Sequence, residues 1–411
     1  MKVRFITFGC RLNRAEALED EAGFIADGWE TTDSSDNADM FVVRGCSVTA
    51  RAQRECEKLI AGLKHKHPRA IVLIRGCLPG SVGDTIRPRS PVLSQSSAKA
   101  DVPKRTARAY LKVQDGCSGK CTFCIVPKFR GKSRSESFED LIDKSKRFID
   151  AGYREIVVTG CNLTLYASSG KRLPELLGAL AKLSKDVRIR IGSIEPGACA
   201  KECVQTMAEN ANICRFLHIP VQSGSERILK AMQRPYSVDD VDEIVELATS
   251  HIADISLGCD MMTGFPGESQ ADFLASAKLL KRCGFTNAHI FPYSERPGTP
   301  AAAFPSPIPK TLRSSRAKHL AKIAENERKR FARNFIGKNV EVLIENEKKC
   351  SGWTSQYLWF EAIRPKTKGM PKRREIATFT VQEAKDCFPA RSAHSLTVRY
   401  LMGVPPQAAR R

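Results

Sequence analysis

Three cysteines lie close together in the segment "CSGKCTFC", which begins at Cys117. Cys117, Cys121 and Cys124 are separated by three and then two residues, and no fourth cysteine lies nearby. A structural zinc site normally has four protein ligands, and a disulfide cannot pair three thiols evenly. A 4Fe-4S cluster needs one thiolate for each iron, so three cysteines leave one iron open for a substrate. The spacing therefore favours a catalytic iron-sulfur cluster.

Three further cysteines, Cys10, Cys46 and Cys77, are spread over the N-terminal part of the chain. Each directly follows a glycine at the end of a short apolar segment that predicts a β-strand, and predicted helices separate the strands. Strands joined through helices pair in parallel, so their C-terminal ends lie at one edge of the sheet. Taken singly, these thiols could pack as small hydrophobes. Their shared position favours a second three-thiolate iron-sulfur cluster.

Alternating helices and strands must position both sets of cysteines. In the N-terminal part, Asn13 and Glu16 have capping-box spacing at the start of the first helix, and Gly28 suits its end. After residue 108, predicted strands alternate with helices in the segments "AYLKVQD", "EIVVTG", "RIRIGSIE", "RFLHIPVQ", "ISLGCDMMTG" and "NAHIFPYS". Six strand-helix units are too few for a closed eight-stranded barrel, which predicts an open, partial (β/α)6 barrel with its site at the C-terminal strand ends.

Changes in composition divide the chain into four segments. Residues 1–100 predict a parallel α/β domain that ends in a connector rich in Pro, Ser and Arg. Residues 101–338 contain the partial barrel and, over residues 310–338, a basic helix with ten Lys or Arg. Residues 339–401 alternate like the strands of a small β-barrel, and residues 402–411 form a tail. The predicted fold class is α/β.

Charge and cysteine content limit the function classes. The chain has 66 Lys and Arg against 45 Asp and Glu, a formal net charge of +21. This excess favours a polyanionic partner such as RNA, DNA or an anionic membrane surface, although charge alone also serves solubility. Fifteen cysteines, in a chain whose start lacks the apolar core of a signal peptide, predict reduced thiols and a cytoplasmic location. Because charged residues interrupt every apolar segment, membrane insertion is not expected.

The segment "CSGKCTFC" resembles the C-x3-C-x2-C signature of the radical S-adenosylmethionine (radical SAM) enzymes, which follows the first strand of a partial barrel. In that family the cysteines hold a 4Fe-4S cluster whose open iron binds S-adenosylmethionine. The resemblance implies this catalytic role for Cys117, Cys121 and Cys124, and it places Phe123 against the cofactor. One electron from the cluster cleaves S-adenosylmethionine to a 5'-deoxyadenosyl radical, so the resemblance also implies an electron donor protein.

Many motifs in register extend the resemblance to the methylthiotransferase branch of this superfamily, as far as about residue 363. They are, in chain order, "TFGCRLNRAE", "RGCSVTARA", "IRGC", "QDGCSGKCTFCIVP", "RIGSIEP", "HIPVQSGSERILKAM", "TGFPGES" and "FPYSERPGTP". Enzymes of this branch replace a C–H hydrogen with a methylthio group. The resemblance implies a second 4Fe-4S cluster on Cys10, Cys46 and Cys77, and a small C-terminal RNA-binding barrel of the TRAM type.

Polar residues near the predicted strand ends are candidates for contact with S-adenosylmethionine. Glu195 in "SIEP", Gln222 in "PVQSG" and Asp260 in "GCDMMTG" are predicted to face the mouth of the barrel, and Ser193 is a weaker candidate. For each of them the alternative is a structural hydrogen bond. His218 lies in an apolar strand, where a lone histidine is usually a satisfied core residue.

Three related enzyme types differ in substrate: threonylcarbamoyl adenosine in tRNA, isopentenyl adenosine in tRNA, or an aspartate of a ribosomal protein. After Cys10, the residues "RLN" followed by Glu16 resemble the threonylcarbamoyl type. This resemblance implies methylthiolation of C2 of N6-threonylcarbamoyladenosine at position 37, in the anticodon loop of tRNA. We expect the enzyme to be a monomer.

The C-terminal segment agrees with an RNA substrate. Trp353, Tyr357, Trp359 and Phe360 combine rings with a nearby basic loop, as in proteins that grip unpaired bases, although alternate aromatics also fill the core of a small barrel. Better candidates for phosphate contact are Lys366, Lys368, Lys372, Arg373 and Arg374. A base of the anticodon loop can be splayed out and inserted into a pocket.

The chain also departs from the family pattern. Only thirty-nine residues separate Cys77 from Cys117, so the first domain is predicted to lack its last strand-helix unit. Arg44 stands where the family often has Asn. These departures leave open a different class of function, a non-catalytic iron-sulfur protein that binds RNA or carries electrons.

Overall fold

The computed structural model describes residues 1–78, 105–363, 371–385 and 400–404. The N-terminal elements are β1 (Lys2–Thr7), α1 (Arg11–Ala26), β2 (Glu30–Thr31), β3 (Met40–Gly45), α2 (Ala50–Lys66) and β4 (Ile71–Gly76). The strands pair in parallel in the order β2-β1-β3-β4, so β1, β3 and β4 end at one edge shortly before the three cysteines, as predicted. The predicted loss of a last strand-helix unit concerns mainly residues 79–104, which lie outside the described residues.

Helix α1 begins at Arg11, so the predicted capping box at Asn13 and Glu16 is wrong. Cys10 occupies the N-cap position, and its side chain makes no cap hydrogen bond. Asn13 and Glu16 are buried within the helix, and Asn13 Nδ2 donates to the carbonyl of Gly45 at 2.9 Å. The helix therefore turns its polar side chains toward the edge of the sheet instead of toward its own N-terminus.

The central part of the chain is a partial barrel. Its strands are β5 (Ala109–Lys112), β6 (Gln114–Asp115), β7 (Arg134–Ser135), β8 (Glu155–Thr159), β9 (Ala167–Ser168), β10 (Lys171–Arg172), β11 (Arg188–Ile191), β12 (Phe216–Gln222), β13 (Ser256–Thr263) and β14 (Asn287–Pro292). Its helices are α3 (Val126–Arg130), α4 (Phe138–Asp150), α5 (Leu173–Leu183), α6 (Ala198–Glu209), α7 (Glu226–Ala231), α8 (Val238–His251), α9 (Gln270–Arg282) and α10 (Lys310–Arg333), with 3-10 turns at Leu163–Leu165 and Pro300–Ala303.

The six predicted barrel strands are confirmed. They pair in parallel as β11-β8-β5 and β12-β13-β14. Two isolated bridges, Ile189 with Ile213 and Ser193 with His218, join the two sheets. In the part of the chain that the structure describes, β5 and β14 do not pair with each other, so the barrel is open on that side.

Helix α1 packs against the inner face of this open barrel. Successive residues of a strand face opposite sides of the sheet. Ala109 and Leu111 of β5 belong to the core beneath the outer helices, whereas Tyr110 between them contacts Ala15 of α1 and Val157 of β8. The N-terminal domain is therefore packed onto the barrel through α1, which begins directly after Cys10.

The C-terminal part is a small closed barrel, as predicted. Its strands are β15 (Asn339–Asn346), β16 (Ser351–Thr354), β17 (Trp359–Ala362), β18 (Ile376–Lys385) and β19 (Tyr400–Val404), and they close in the order β15-β16-β17-β19-β18. Phe360 and Phe379 pack in its core with ring centroids 4.6 Å apart. Strand β19 continues to Val404, beyond the predicted end of this segment at residue 401.

Buried charges join the small barrel to the N-terminal ends of the large barrel's strands. Glu155, at the start of β8, pairs with Arg188 at 2.7 Å and with Arg190 at 2.8 Å. The same guanidiniums donate to backbone carbonyls of the small barrel, including Thr354 at 2.9 Å and Ser355 at 3.1 Å. Burial alone would raise the pKa of Glu155, but the arginines hold it well below the usual range. The small barrel thus covers the end of the large barrel that lies opposite the cysteine loop.

Helix α10 has fewer free positive charges than its sequence suggests. Arg313, Arg316 and Arg328 are buried. Arg316 pairs with Glu268 at 2.6 Å, and Arg328 donates to the carbonyl of Thr286 at 2.6 Å. These arginines fix α10 to the barrel instead of adding to its surface charge. Like every other helix in the described ranges, α10 lacks an apolar stretch long enough to cross a bilayer.

Candidate functional site

Cys117, Cys121 and Cys124, here called the barrel triad, lie in the loop between β6 and α3. Gly119 lies between two of the sulfurs, because a Cβ atom on it would be 3.2 Å from Cys117 Sγ and 3.8 Å from Cys121 Sγ. Burial raises the pKa of Cys124 to about 11, and the neighbouring thiols Cys121 and Cys117 contribute to this rise. The three predicted thiols are therefore grouped at the mouth of the barrel.

Two backbone carbonyls at the C-terminal end of α7 hold the loop that carries the barrel triad. The N–H and hydroxyl of Thr122 donate to the carbonyls of Met232 and Ala231, each at 3.0 Å. The ring of Phe123 is half-buried and packs on the apolar cluster that contains Met232 and Met262. Phe123 therefore anchors the loop, and its contact with the cofactor stays a prediction.

Cys10, Cys46 and Cys77, here called the sheet triad, are gathered from three separate loops. Cys46 and Cys77 are buried, whereas Cys10 is exposed. At Gly9, whose φ is +89°, a Cβ atom would lie 2.8 Å from Cys46 Cβ and 3.2 Å from Cys46 Sγ, so only glycine fits. Burial raises the pKa of Cys46 to about 11, and Cys10 and Cys77 contribute to this rise. Parallel pairing brings these thiols together as the sequence predicted.

Arg44 is accommodated by the acidic face of α1. Its guanidinium is buried and pairs with Glu16 and Asp20, each at 2.6 Å. Arg75 of the neighbouring strand also pairs with Asp20, at 2.5 Å. The arginine at this position therefore helps to hold α1 on the sheet that carries the sheet triad.

Both triads have the chemistry of metal ligands. All fourteen cysteines in the described ranges are free thiols. In each triad the sulfurs would repel one another as thiolates, and a cationic metal cluster removes this repulsion when it replaces the thiol protons. Each donor set therefore has the ligand chemistry that an iron-sulfur cluster requires.

One arginine connects the sheet triad to the strand that precedes the barrel triad. Arg130 ends α3, which follows the barrel triad, and its side chain is only 7% exposed. Its Nε donates to Cys77 Sγ at 2.9 Å, and its Nη2 donates to Asn13 Oδ1 at 2.8 Å. The two Nη groups also donate to Glu16 at 2.9 and 3.0 Å, and Nη1 donates to Asp115 of β6 at 2.9 Å. A single buried guanidinium thus bridges the sheet triad and the base of the cysteine loop.

A second arginine, Arg234, contacts the barrel triad. Its Nη1 donates to Cys121 Sγ at 3.0 Å, and its Nε donates to the hydroxyl of Tyr236 at 2.8 Å. Its Nη2 pairs with Glu195, which also accepts a hydrogen bond from Asn162 Nδ2 at 2.9 Å. The predicted residue Glu195 therefore lies beside the triad. Sequence reasoning missed Arg234 and Asn162, because no spacing or motif marks either of them.

The other predicted cofactor residues lie inside the barrel or at its wall. Asp260 Oδ1 is 3.0 Å from His289 Nδ1 and 3.2 Å from His218 Nε2. Burial alone would raise the pKa of Asp260, but the two histidines outweigh it and hold the pKa well below the usual range. Ser193 is bridged to His218, and Gln222 ends β12 with a φ of 65°. His218 is buried, as expected for a core histidine, yet it faces a carboxylate instead of an apolar core.

The small barrel inserts Tyr357 into the covered end of the large barrel. Tyr357 stacks on Trp353, with ring centroids 4.4 Å apart, and lies 4.9 Å from the ring of Phe216 in β12. The guanidiniums of Arg190 and Arg11 lie 4.8 and 5.1 Å from its ring. Burial alone would raise the pKa of Tyr357, but Arg11 and its neighbouring arginines lower it to about 7. Tyr357 therefore contacts the large barrel and not the core of its own domain.

The predicted RNA-binding cations differ in their surroundings. Lys366 and Lys368 lie outside the described residues. Lys372 and Arg373 are exposed. Arg374 is half-buried, and its guanidinium lies 4.0 Å from the centroid of a tyrosine ring of the large barrel. Contact with phosphate stays a prediction for all five, and Arg374 in addition holds the two barrels together.

Comparison with known proteins covers most of the chain. Residues 111–280 match the family described as the radical SAM superfamily, and residues 2–95 match the one described as uncharacterized protein family UPF0004. The threonylcarbamoyladenosine tRNA methylthiotransferase MtaB of Thermotoga maritima is 32% identical, over 84% of this chain and 86% of that protein. The tRNA-2-methylthio-N(6)-dimethylallyladenosine synthase of Aquifex aeolicus is 29% identical, over 83% and 87%.

A solved structure supports the fold. The radical S-adenosylmethionine methyltransferase TsrM from Kitasatospora setae superposes with a TM-score of 0.55 over 73% of this chain and 77% of that chain, at 13% identity. At that identity the likeness concerns the fold alone. The barrel with its cysteine loop, the N-terminal domain packed against it and the similarity over most of the sequence lead to one conclusion: the chain belongs to the radical SAM methylthiotransferase family.

Proposed function

We propose that this protein adds a methylthio group to C2 of N6-threonylcarbamoyladenosine at position 37, in the anticodon loop of tRNA. The observation that carries the proposal is the bridge through Arg130. Its guanidinium contacts Cys77 of the sheet triad and Asp115, which precedes Cys117 of the barrel triad by two residues, each at 2.9 Å. Sulfur insertion needs a radical source and a sulfur source close to the same substrate atom. Relatives from three bacteria, 30 to 32% identical, carry the threonylcarbamoyl name.

The barrel triad would serve radical formation. Its three thiolates would hold a 4Fe-4S cluster with one open iron, which together with S-adenosylmethionine supplies the 5'-deoxyadenosyl radical. Arg234 and Glu195, paired beside Cys121, have the charges to orient the carboxylate and the amino or hydroxyl groups of S-adenosylmethionine. Further residues for this role are Phe123, Ser193, Gln222 and Asp260.

The sheet triad would hold a second 4Fe-4S cluster, whose open iron presents the sulfur. Burial raises the pKa of Cys77, and the hydrogen bond that Arg130 donates to its Sγ opposes this rise and favours the thiolate form that a metal requires. Cys46 and Cys77 are shielded from solvent, whereas Cys10 is exposed. Cys10 therefore marks the side from which substrate reaches this triad.

The remaining parts of the protein would serve the RNA and the electron supply. Lys372 and Arg373, together with Lys366, Lys368 and Arg374, would contact phosphates of the anticodon arm, since phosphate contacts dominate RNA affinity. A reducing electron donor protein would reduce the barrel-triad cluster. The free thiols and the tRNA substrate favour a cytoplasmic location, and we propose that the enzyme acts as a monomer.

The second candidate substrate is dimethylallyl adenosine in tRNA. Its support is the 29% identity to the Aquifex aeolicus synthase of that name, which is close to the identities with the threonylcarbamoyl enzymes. The two substituents differ in charge, because the threonyl group has a carboxylate and the dimethylallyl group has none. A test must therefore separate two nucleosides that share the same reacting carbon.

Nucleoside mass spectrometry of tRNA provides this test. In a strain without the gene, methylthio-threonylcarbamoyladenosine is expected to disappear, and the wild-type chain is expected to restore it. A strain complemented with Cys46→Ala is the matched control and should not regain it. Loss of the methylthio-dimethylallyl nucleoside instead would favour the second candidate. A chain that forms no 5'-deoxyadenosine from S-adenosylmethionine under dithionite would contradict both.

A further inference from the structure

Among the residues that the structure describes, Arg11 is a cation that pairs with no carboxylate, and it lies near the interior of the large barrel. It is the first residue of α1, directly after Cys10, and it is half-buried. Within residues 1–78, 105–363, 371–385 and 400–404, its guanidinium makes no hydrogen bond or ion pair. It lies 5.1 Å from the centre of the Tyr357 ring. The fold thus holds the Arg11 guanidinium beside the ring of Tyr357 and, within the described residues, leaves its N–H groups without an acceptor.

The other guanidiniums around Tyr357 are neutralised. Arg190 pairs with Glu155 at 2.8 Å, and Arg108 pairs with Glu345 at 2.9 Å. Both of these arginines are buried and are used to join the two barrels. Arg11 differs from them because no carboxylate in the described ranges pairs with it. The positive charge at this point of the barrel is therefore available to a ligand.

The surroundings of Arg11 suit an anionic group. His218 Nε2 lies 3.2 Å from Asp260 Oδ1, and His289 lies 3.0 Å from the same oxygen, so the nearby carboxylate is paired with histidines and not with Arg11. Burial lowers the pKa of His218 against the opposing effect of Asp260, and the charge of Arg11 makes a smaller lowering contribution, so Arg11 and His218 lie within electrostatic range. A partly buried cation without a partner costs free energy unless a bound anion offsets the loss of water. Arg11 is in this position, and a bound carboxylate would lower the free-energy cost of burying its charge.

We propose that Arg11 binds the carboxylate of the threonylcarbamoyl group on the substrate adenine. This inference rests on the proposed function. An arginine fork donates two parallel hydrogen bonds to a carboxylate, and it would gain nothing from an apolar dimethylallyl group. Because Arg11 follows Cys10, an adenine that presents C2 to the sheet triad can extend its N6 substituent toward Arg11. Arg11 is then the residue that selects the charged substituent over the apolar one.

The test combines two enzymes, wild type and Arg11→Gln, with two forms of the substrate RNA. Reconstituted wild-type and Arg11→Gln enzymes receive an anticodon stem-loop RNA that carries either N6-threonylcarbamoyladenosine or its methyl ester. Loss of a charged hydrogen bond corresponds to about a tenfold or larger drop in kcat/KM, which we expect for Arg11→Gln on the acid. We expect a similar drop for wild type on the ester. The two losses should not multiply, because each removes the same contact.

Two further variants control this experiment. Arg11→Lys keeps the charge and should recover much of the activity on the acid. Arg51→Gln removes a cation on α2 that is 73% exposed and pairs with Glu55, and this variant should behave as wild type. Iron content and the unfolding midpoint of each variant separate a folding defect from a binding defect.

Two results would overturn the inference. The first is an Arg11→Gln enzyme that retains wild-type kcat/KM on the acid, and the second is a pair of losses that multiply. If wild type cleaves S-adenosylmethionine but methylthiolates neither RNA, the proposed function fails. The dissociation constants of the acid and ester RNAs then test Arg11 separately, and equal constants for wild type would overturn its role.

Discussion

The two cysteine triads hold the same number of thiols, but the chain builds them in different ways. The barrel triad comes from one loop, from Cys117 to Cys124, whereas the sheet triad is gathered from three loops between Cys10 and Cys77. Each has one arginine on one sulfur: Arg234 on the barrel triad at 3.0 Å, and Arg130 on the sheet triad at 2.9 Å. The barrel triad depends on one segment, whereas the sheet triad depends on a whole domain and on its packing against the barrel.

The largest expected effect comes from removing one thiol from each triad in turn. Cys121→Ala should reduce cleavage of S-adenosylmethionine to background, because the radical source is lost. Cys46→Ala should retain this cleavage but form no methylthio product. Each variant should bind about four irons, against about eight for wild type. Iron analysis, 5'-deoxyadenosine chromatography and nucleoside mass spectrometry give the three readings. A Cys46→Ala protein that still binds all its iron would show that the sheet triad holds no cluster.

The next largest effect is expected from removing Arg130, which bridges Cys77 of the sheet triad and Asp115 of β6. Arg130→Gln would remove a buried cation from Glu16 and Asp115, which would keep Arg44 and the exposed Arg134 respectively. Breaking a buried pair costs up to about 3–5 kcal/mol. The midpoint of urea unfolding of the metal-free protein should fall accordingly. Iron loss from the sheet triad should exceed iron loss from the barrel triad, because Arg130 contacts Cys77 directly.

The matched control for Arg130 lies in the same segment. Arg134 is 64% exposed and lies 3.7 Å from the same Asp115. Arg134→Gln should change the unfolding free energy by no more than about 0.5 kcal/mol. If Arg130→Gln behaves like this control, the bridge from Cys77 to Asp115 does not stabilise the packing of the N-terminal domain on the barrel.

The difference between features built from one segment and features built from distant segments explains what the sequence could predict. Local patterns were sufficient for the six barrel strands, for the barrel triad and for the three strands that end near the sheet triad. The partners of the triads were not predictable, because Arg130 reaches residues 53 and 117 positions away. The capping box failed for the same reason: Asn13 and Glu16 have capping spacing, but long-range partners recruit both side chains. The docking of Tyr357 into the large barrel likewise has no local signal.

A smaller effect concerns the pH dependence of the contact between α1 and the barrel. Glu19 pairs with Lys144 and lies 3.8 Å from Lys112. Burial alone would raise the pKa of Glu19, but the two lysines lower it below its usual 4.5. A group with a lowered folded-state pKa contributes fully above its unfolded pKa, and this contribution is lost as the pH falls through the folded value. The contact between α1 and the barrel should therefore lose stability on acidification.

Glu19→Gln tests this pH dependence. At pH 7 the substitution should lower the unfolding free energy by about 1 kcal/mol. The difference from wild type should begin to shrink as the pH falls below 4.5 and should vanish below the lowered folded-state pKa. Urea unfolding over a pH series gives both values. Asp143→Asn, which removes a 71% exposed partner of Lys146, is the control and should show no such convergence. A difference that grows on acidification would contradict the assignment.

The smallest expected effect is at Cys56, a fourth thiol beside the sheet triad. Cys56 is fully buried in α2, and the N–H of Cys46 donates to its Sγ at 3.5 Å. We expect Cys56→Ala to keep about eight irons per chain and to lower the unfolding free energy by about 1 kcal/mol. If iron falls as it does in Cys46→Ala, Cys56 is a ligand. A 4Fe-4S cluster held by four thiolates has no iron with an open position, so the cluster could then carry electrons but could not present sulfur.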